Sequence, residues 1–385
     1  QWQELFLHAV READRLGLII GMNNCPGWSN AGGPWIDGEH SMQALTFSRV
    51  DVQGGGKQTV KLPRPWSQCD WYRDVAVVAY PALMGMAQLK PAVTASSPIE
   101  SEHLTDGRWE TQVTLADEKK GRQRFIQFEF DSPITVEGMW FRDFGSPRSS
   151  HGGVLEASMD GKRFHKVASF SYKHFALRHK GDLIYATFKP VSLKYFRLKF
   201  DEAEGRAYRI GELDLLTSPA LKGLLHKAGY LTPPWPKADY GWRASSSAGS
   251  MLPLSRVVNL TGKMDASGQL TWQVPSGRWT VLRVGHTSNG ISPRPLPGTG
   301  WDGRGYRPDS VPDDELSKSL ESDKYSKAAT ILQYESFVGK LVRLCGPLAG
   351  KALKTVAVDS WEVGSQNWTE RLPEEFKQRR GYALT

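Results

Sequence analysis

The sequence predicts an α/β plus all-β chain, a (β/α) barrel interrupted by an all-β sandwich. Helix, strand and polar loop follow one another near both ends of the chain. Period-two segments broken by Asp-Gly and Ser-Pro turns fill the stretch from about 97 to 217. The 385 residues exceed one ordinary domain, so a large core with at least one accessory module is expected.

Residues 2 to 16 place Leu5, Ala9, Val10, Ala13 and Leu16 at helical spacing, and Gly17 stands where a C-terminal cap belongs. A strand follows in "LGLIIGMNN", then the Gly/Pro-rich loop "CPGWSNAGGPWIDGEHSM". Parallel β/α proteins carry their working groups in loops of that kind, where the strands end. From Ala44 to about Met86 short alternating segments read as β-rich elaboration. After the period-two region, "ALKGLLHKAGYL" returns to helical spacing, and the run Trp279 to Val284 is a strand leading into His286 and Thr287. The loop "ISPRPLPGTGWDGRGYRPDSVPDDE" is longer than a plain connection needs. "SKAATILQYESFVGKLVRLCG" is an amphipathic helix ending at Gly346-Pro347, and "LKTVAVDSWEVG" supplies another strand. The expected division is 1–96 for the first part of the barrel with its β-rich elaboration, 97–217 for the sandwich, and 218–385 for the barrel's continuation.

Composition narrows the function. Hydrophobic residues make up 39% and charged residues 23%, and no apolar run approaches the roughly 18 residues of a membrane span. The formal charge of +8 comes from Lys and Arg scattered among acids, with no nucleic-acid motif, so neither a membrane span nor a nucleic acid is expected. The 14 Trp are heavy use of a side chain that joins a flat apolar face to an N–H donor, as sugar clefts require. Cys25, Cys69 and Cys345 are too few and too far apart for a disulfide scaffold or a zinc site. No G-x-S-x-G elbow occurs.

The chemistry gathers in "DSWEVGSQNW", residues 359 to 368. Asp359 and Glu362 follow the apolar run Val356-Ala357-Val358, where a barrel strand would open onto the active face. Beside indoles, a carboxyl there can be raised in pKa and protonate a glycosidic oxygen, which makes Glu362 the candidate general acid. Asp359 would hold Glu362, a sugar hydroxyl or a metal. An acid after a strand also serves as an ordinary N-cap. Asn23, Asn24, Trp28, Trp35, Gln366, Asn367 and Trp368 are candidate substrate-binding residues, amides for vicinal hydroxyls and indoles for the ring face. Trp35 beside Gly32-Gly33-Pro34 reads equally as packing. Glu39 and His40 could face a cleft or solvent. His286 is a substrate-site candidate or a satisfied near-core histidine, and Trp272 and Trp279 read as packing. In "LESDKYS", Ser322 or Asp323 would cap a helix, or Glu321, Asp323 and Lys324 would reach substrate or metal.

Two resemblances follow. The "DG" loop, "IQFEF", "ASMDGKRF" and "RIGEL" resemble a galactose-binding-like jelly-roll β-sandwich. "CPGWSNAGGPWI", "LTGKMDASGQLTWQVPSGRWTVLRVGHT", "LESDKYSKAA" and "DSWEVGSQNWTERLPEEFKQRRGY" resemble the α-L-rhamnosidases of glycoside hydrolase family 106. That resemblance implies a (β/α)8-type TIM barrel, incomplete in this chain, interrupted by β-sandwich domains. It also implies a calcium ion aiding recognition of sugar hydroxyls, and hydrolysis of terminal α-L-rhamnose with inversion. Glu362 matches the family's acid in the D-x-x-E block, with Asp359 as its neighbour. Inversion needs a second carboxylate roughly 6.5–9.5 Å away, expected on a barrel strand beyond Thr385. The implied partner is a rhamnose-containing carbohydrate, and the implied compartment is periplasmic or secreted. The alternatives are a non-catalytic carbohydrate-binding protein that uses the sandwich and a glycosidase of another sugar.

Overall fold

The computed structural model describes residues 1–24, 33–82, 89–107, 111–115, 123–143, 150–173, 182–201, 207–217, 252–291, 320–358 and 366–384. In chain order the strands are β1 Ile20–Asn23, β2 Gln43–Gln53, β3 Gly56–Lys61, β4 Arg73–Pro81, β5 Ala92–Ala95, β6 Val113–Leu115, β7 Arg124–Asp143, β8 Ser150–Ser158, β9 His165–Lys173, β10 Asp182–Phe200, β11 Tyr208–Leu216, β12 Val258–Asn259, β13 Gln269–Val274, β14 Arg278–Ser288 and β15 Leu353–Ala357. The helices are α1 Trp2–Leu16, α2 Lys327–Ser336, α3 Val338–Cys345 and α4 Leu372–Arg380. The described residues are thus mostly β. They form two compact units: 1–45, 67–73 and 286–385 in the first, 46–66 and 74–285 in the second.

In the first unit, α1 ends as its spacing predicts: Gly17 takes φ 69° and its N–H closes the last turn on Ala13 and Asp14. The helix buries Val10 and Ala13 against Cys345, Ala352 and Leu353. β1 pairs in parallel with β15, Ile20 opposite Leu353 and Asn23 opposite Ala357. α1 and α3 pack against this two-stranded parallel sheet. The single helix expected over 326–346 breaks at Phe337 into α2 and α3. Its N-cap is Ser326, which accepts from Ala329 N at 3.3 Å, rather than Ser322 or Asp323. A smaller core of Ile36, Cys69 and Leu320 underlies Trp35.

In the second unit, β5–β11 form a seven-stranded sheet ordered β6-β11-β7-β10-β8-β9, with β5 also on β7. The long strands β7 and β10 change register between Thr187 and Val191 and between Leu193 and Tyr195. In β7, exposed Asp131, Ser132 and Pro133 separate two alternating halves, and both halves contribute to one core through Phe128, Phe130, Val136 and Phe141.

Residues 258–285 depart from the expected division. Instead of continuing the barrel, β12 pairs with β4 and β13 with β3, while β14 lies between β4 and β2. The reason is their period-two pattern: Leu270, Trp272 and Val274 alternate inward and share a core with Val52, Leu62, Val77 and Trp279. The β-rich elaboration after residue 44 and the strands after 258 are therefore halves of one structure.

Candidate active site

The site is read from the first unit. Because β1 and β15 are parallel, their C-terminal ends lie together: Asn24 N donates to Ala357 O at 3.0 Å. Asn23 ends β1 with an exposed side chain, while Asn24 is buried and its carbonyl accepts from Gln333 Nε2 at 3.1 Å. Trp28 and the two candidate acids, Asp359 and Glu362, lie outside the described residues. Ala357 and Val358 lead the chain to that acid block, and Gln366 resumes it.

The segment after the block is fastened from two directions. Asp323, itself buried, accepts from Gln366 Nε2 at 2.7 Å, from Thr369 Oγ1 at 2.7 Å and from Tyr325 N at 2.9 Å. Asn367 accepts from Leu45 N at 2.8 Å through Oδ1 and donates its own N–H to Gln43 O at 3.2 Å. These bonds hold the chain four to seven positions past Glu362 against the start of β2.

Trp368 is buried and packs its indole on His286, ring centroids 5.7 Å apart. His286 also meets the edge of Trp71 at 6.3 Å and bonds Gln43 Oε1 at 2.9 Å through Nδ1. Burial, and then the charge of Arg73, push its pKa down to about 4, so the ring is neutral at ordinary pH. The structure thus brings His286, Gln366, Asn367 and Trp368 together. It adds Gln43, Trp71 and Asp323, which no local spacing marked as one cluster.

Trp35 sits apart from that cluster: its N–H donates to Gln333 Oε1 at 2.7 Å and its ring stacks on Phe337 at 6.2 Å. Glu39 pairs with Arg73 at 2.9 Å, and His40 with Asp37 at 2.7 Å, both partly solvated. Glu321 and Lys324 form an ion pair of 2.5 Å whose side chains are 0% and 5% exposed. Among the described residues no three His, Cys, Asp or Glu side chains gather at one point.

Asn23 and Asn24 close the β1 end beside β15, and His286, Trp71 and Trp368 gather around Gln43. The chain is a member of glycoside hydrolase family 106: that family's profile, described as alpha-L-rhamnosidase, matches residues 1–385. A rhamnosidase from Novosphingobium sp. PP1Y superposes with a TM-score of 0.73 over 99% of this chain and 35% of that one, at 24% identity, a likeness of fold. A Formosa agariphila protein with the provisional name beta-glucuronidase is 22% identical over 383 residues. That alignment spans 100% of this chain but 20% of the relative. A pectin-binding carbohydrate-binding module aligns with 32% of the chain and 88% of its own length, at 23% identity and a TM-score of 0.26.

Proposed function

We propose that this chain carries the proton-donating half of an α-L-rhamnosidase site, with Glu362 as general acid and Asp359 as the residue that holds it. The observation that carries the reading is the parallel pairing of β1 with β15. It brings the ends of two strands together where the Asp359–Glu362 block begins, the end at which barrel enzymes bind substrate.

In this reading β1 and β15 belong to a (β/α)8 barrel, and Val356 on β15 and Val358 just past it, 41% and 54% exposed, are apolar residues that further barrel elements would cover. The β5–β11 region is read as a galactose-binding-like sandwich inserted in the barrel.

The reaction is inverting. The carboxylic acid of Glu362 gives its proton to the glycosidic oxygen as the C–O bond breaks, and water attacks the anomeric carbon from the opposite face. A second carboxylate takes that water's proton. Gln366, Asn367 and Asn23 offer donors and acceptors for sugar hydroxyls. Calcium enters no step here, and its part in the activity is tested by turnover before and after EGTA. A periplasmic or secreted location accords with a polysaccharide substrate.

The natural full-length protein should release rhamnose from an aryl α-L-rhamnoside, and Glu362→Gln should lower kcat by about 10²–10⁴-fold. Unchanged turnover would remove Glu362 from the mechanism. A panel that includes an aryl β-glucuronide decides the sugar.

A further inference from the structure

Gln43 is buried at the start of β2 and its side-chain amide has one workable orientation. Nε2 donates to the carbonyls of Gly38 at 2.8 Å and Ser41 at 2.7 Å, so Oε1 is the accepting end. Trp71 Nε1, which can only donate, reaches that oxygen at 3.0 Å.

His286 Nδ1 lies 2.9 Å from the same Oε1. An acceptor cannot face an acceptor at that distance, so Nδ1 carries the hydrogen and Nε2 of the neutral ring holds a lone pair. Among the described residues nothing donates to Nε2, and His286 is partly exposed. The charged neighbour on this side is Arg73, stacked 4.6 Å over the Trp71 ring and paired with Glu39. Burial, and then the positive charge of Arg73, keep the imidazole neutral.

We propose that His286 Nε2, locked in one tautomer by Gln43 and flanked by Trp71 and Trp368, is a subsite that accepts a hydrogen bond from a hydroxyl of a neutral pyranose. The lone pair repels a carboxylate, which has no hydrogen to donate, so the subsite disfavours a uronic acid in that position. The class of ligand rests on the glycosidase reading above, whereas the tautomer and its acceptor rest on the geometry alone.

The test is long-range proton–nitrogen NMR on protein labelled with 15N-histidine. His286 is identified by its loss in His286→Gln or, should that variant not fold, as a ring that does not titrate between about pH 5.5 and 8. The free protein should show Nδ1 protonated and Nε2 bare. Methyl α-L-rhamnoside should move the Nε2 resonance upfield while glucuronate leaves it in place. His286→Gln should raise KM for an aryl rhamnoside about tenfold, with kcat changed far less.

A protonated Nε2 in the free protein, or an equal response to glucuronate, overturns the proposal. If the protein hydrolyses the rhamnoside while Nε2 stays unmoved, the subsite falls and the rhamnosidase reading stands. If Nε2 responds to a neutral sugar without turnover, the subsite stands and the rhamnosidase reading falls. If neither occurs, both fall.

Discussion

The Oδ1 atom of Asp323 accepts a hydrogen bond from Gln366 Nε2 at 2.7 Å, joining two points 43 residues apart along the chain. With Thr369 on Oδ2, this carboxylate fixes the backbone just past the Glu362 block. Asp323→Ala should cost about 1–3 kcal/mol in urea denaturation, because it removes a buried carboxylate that accepts from the half-buried Gln366 and Thr369. It should also depress turnover of the full-length protein. A variant as stable as the native protein would show that Gln366 and Thr369 find other acceptors.

The ion pair of Glu321 and Lys324 is more deeply buried, and Glu321 Oε2 has no hydrogen-bond partner among the described residues. Removing one partner leaves an uncompensated charge, so Lys324→Met should destabilise by about 3–5 kcal/mol. The double variant Glu321→Leu/Lys324→Met should recover most of that loss. If the double variant is no more stable than Lys324→Met, the pair is not the origin of the cost.

Stability should also fall with rising pH through Glu212. Burial, then a hydrogen bond with Asp106, pushes its pKa up from 4.5 to about 8, so the folded state binds a proton that the unfolded chain releases. The sign follows: this contribution is complete below about 4.5, declines as pH rises and is gone above about 8. Thermal melts across that range should fall for the native protein and be flatter for Glu212→Gln. They should be run with EGTA, since a divalent cation between the two carboxyls would replace the proton. Parallel curves for both proteins would contradict the shared proton.

Trp35 supplies a packing test. A Cβ built on Gly33 would overlap its six-membered ring, which also stacks on Phe337. Gly33→Ala should therefore displace the indole, at about 1–3 kcal/mol, and shift the tryptophan emission. An unchanged spectrum and melting temperature would mean that the 33–35 turn adjusts freely.

Elements with a strong local period were readable in advance, and their partners were not. Gly17 stops α1 because a left-handed cap is a property of a few neighbouring residues. "QLTWQV" announced a strand through alternation, but nothing local says that Trp272 lies opposite Gln58. Two readings of the 320–346 stretch differ from the structure: one helix became two at Phe337, and the cap is Ser326, which bonds Ala329 N. In the site, His286, Gln366, Asn367 and Trp368 stood out by type and position. Gln43 and Trp71 did not, since an isolated Gln and an isolated Trp gain meaning only when the start of β2 and the turn before β4 meet the imidazole on β14.

Register between β1 and β15 has a kinetic consequence. Ile20 meets Leu353 only after more than 300 intervening residues have been made. At about 5–20 residues per second on the ribosome, β1 waits roughly 15–70 s for its partner. The sheet from β5 to β11 closes within its own stretch of sequence during that interval. Nascent-chain proteolysis should find the β5–β11 stretch protected well before β1, which would still lack its parallel neighbour after the sheet downstream of it had closed.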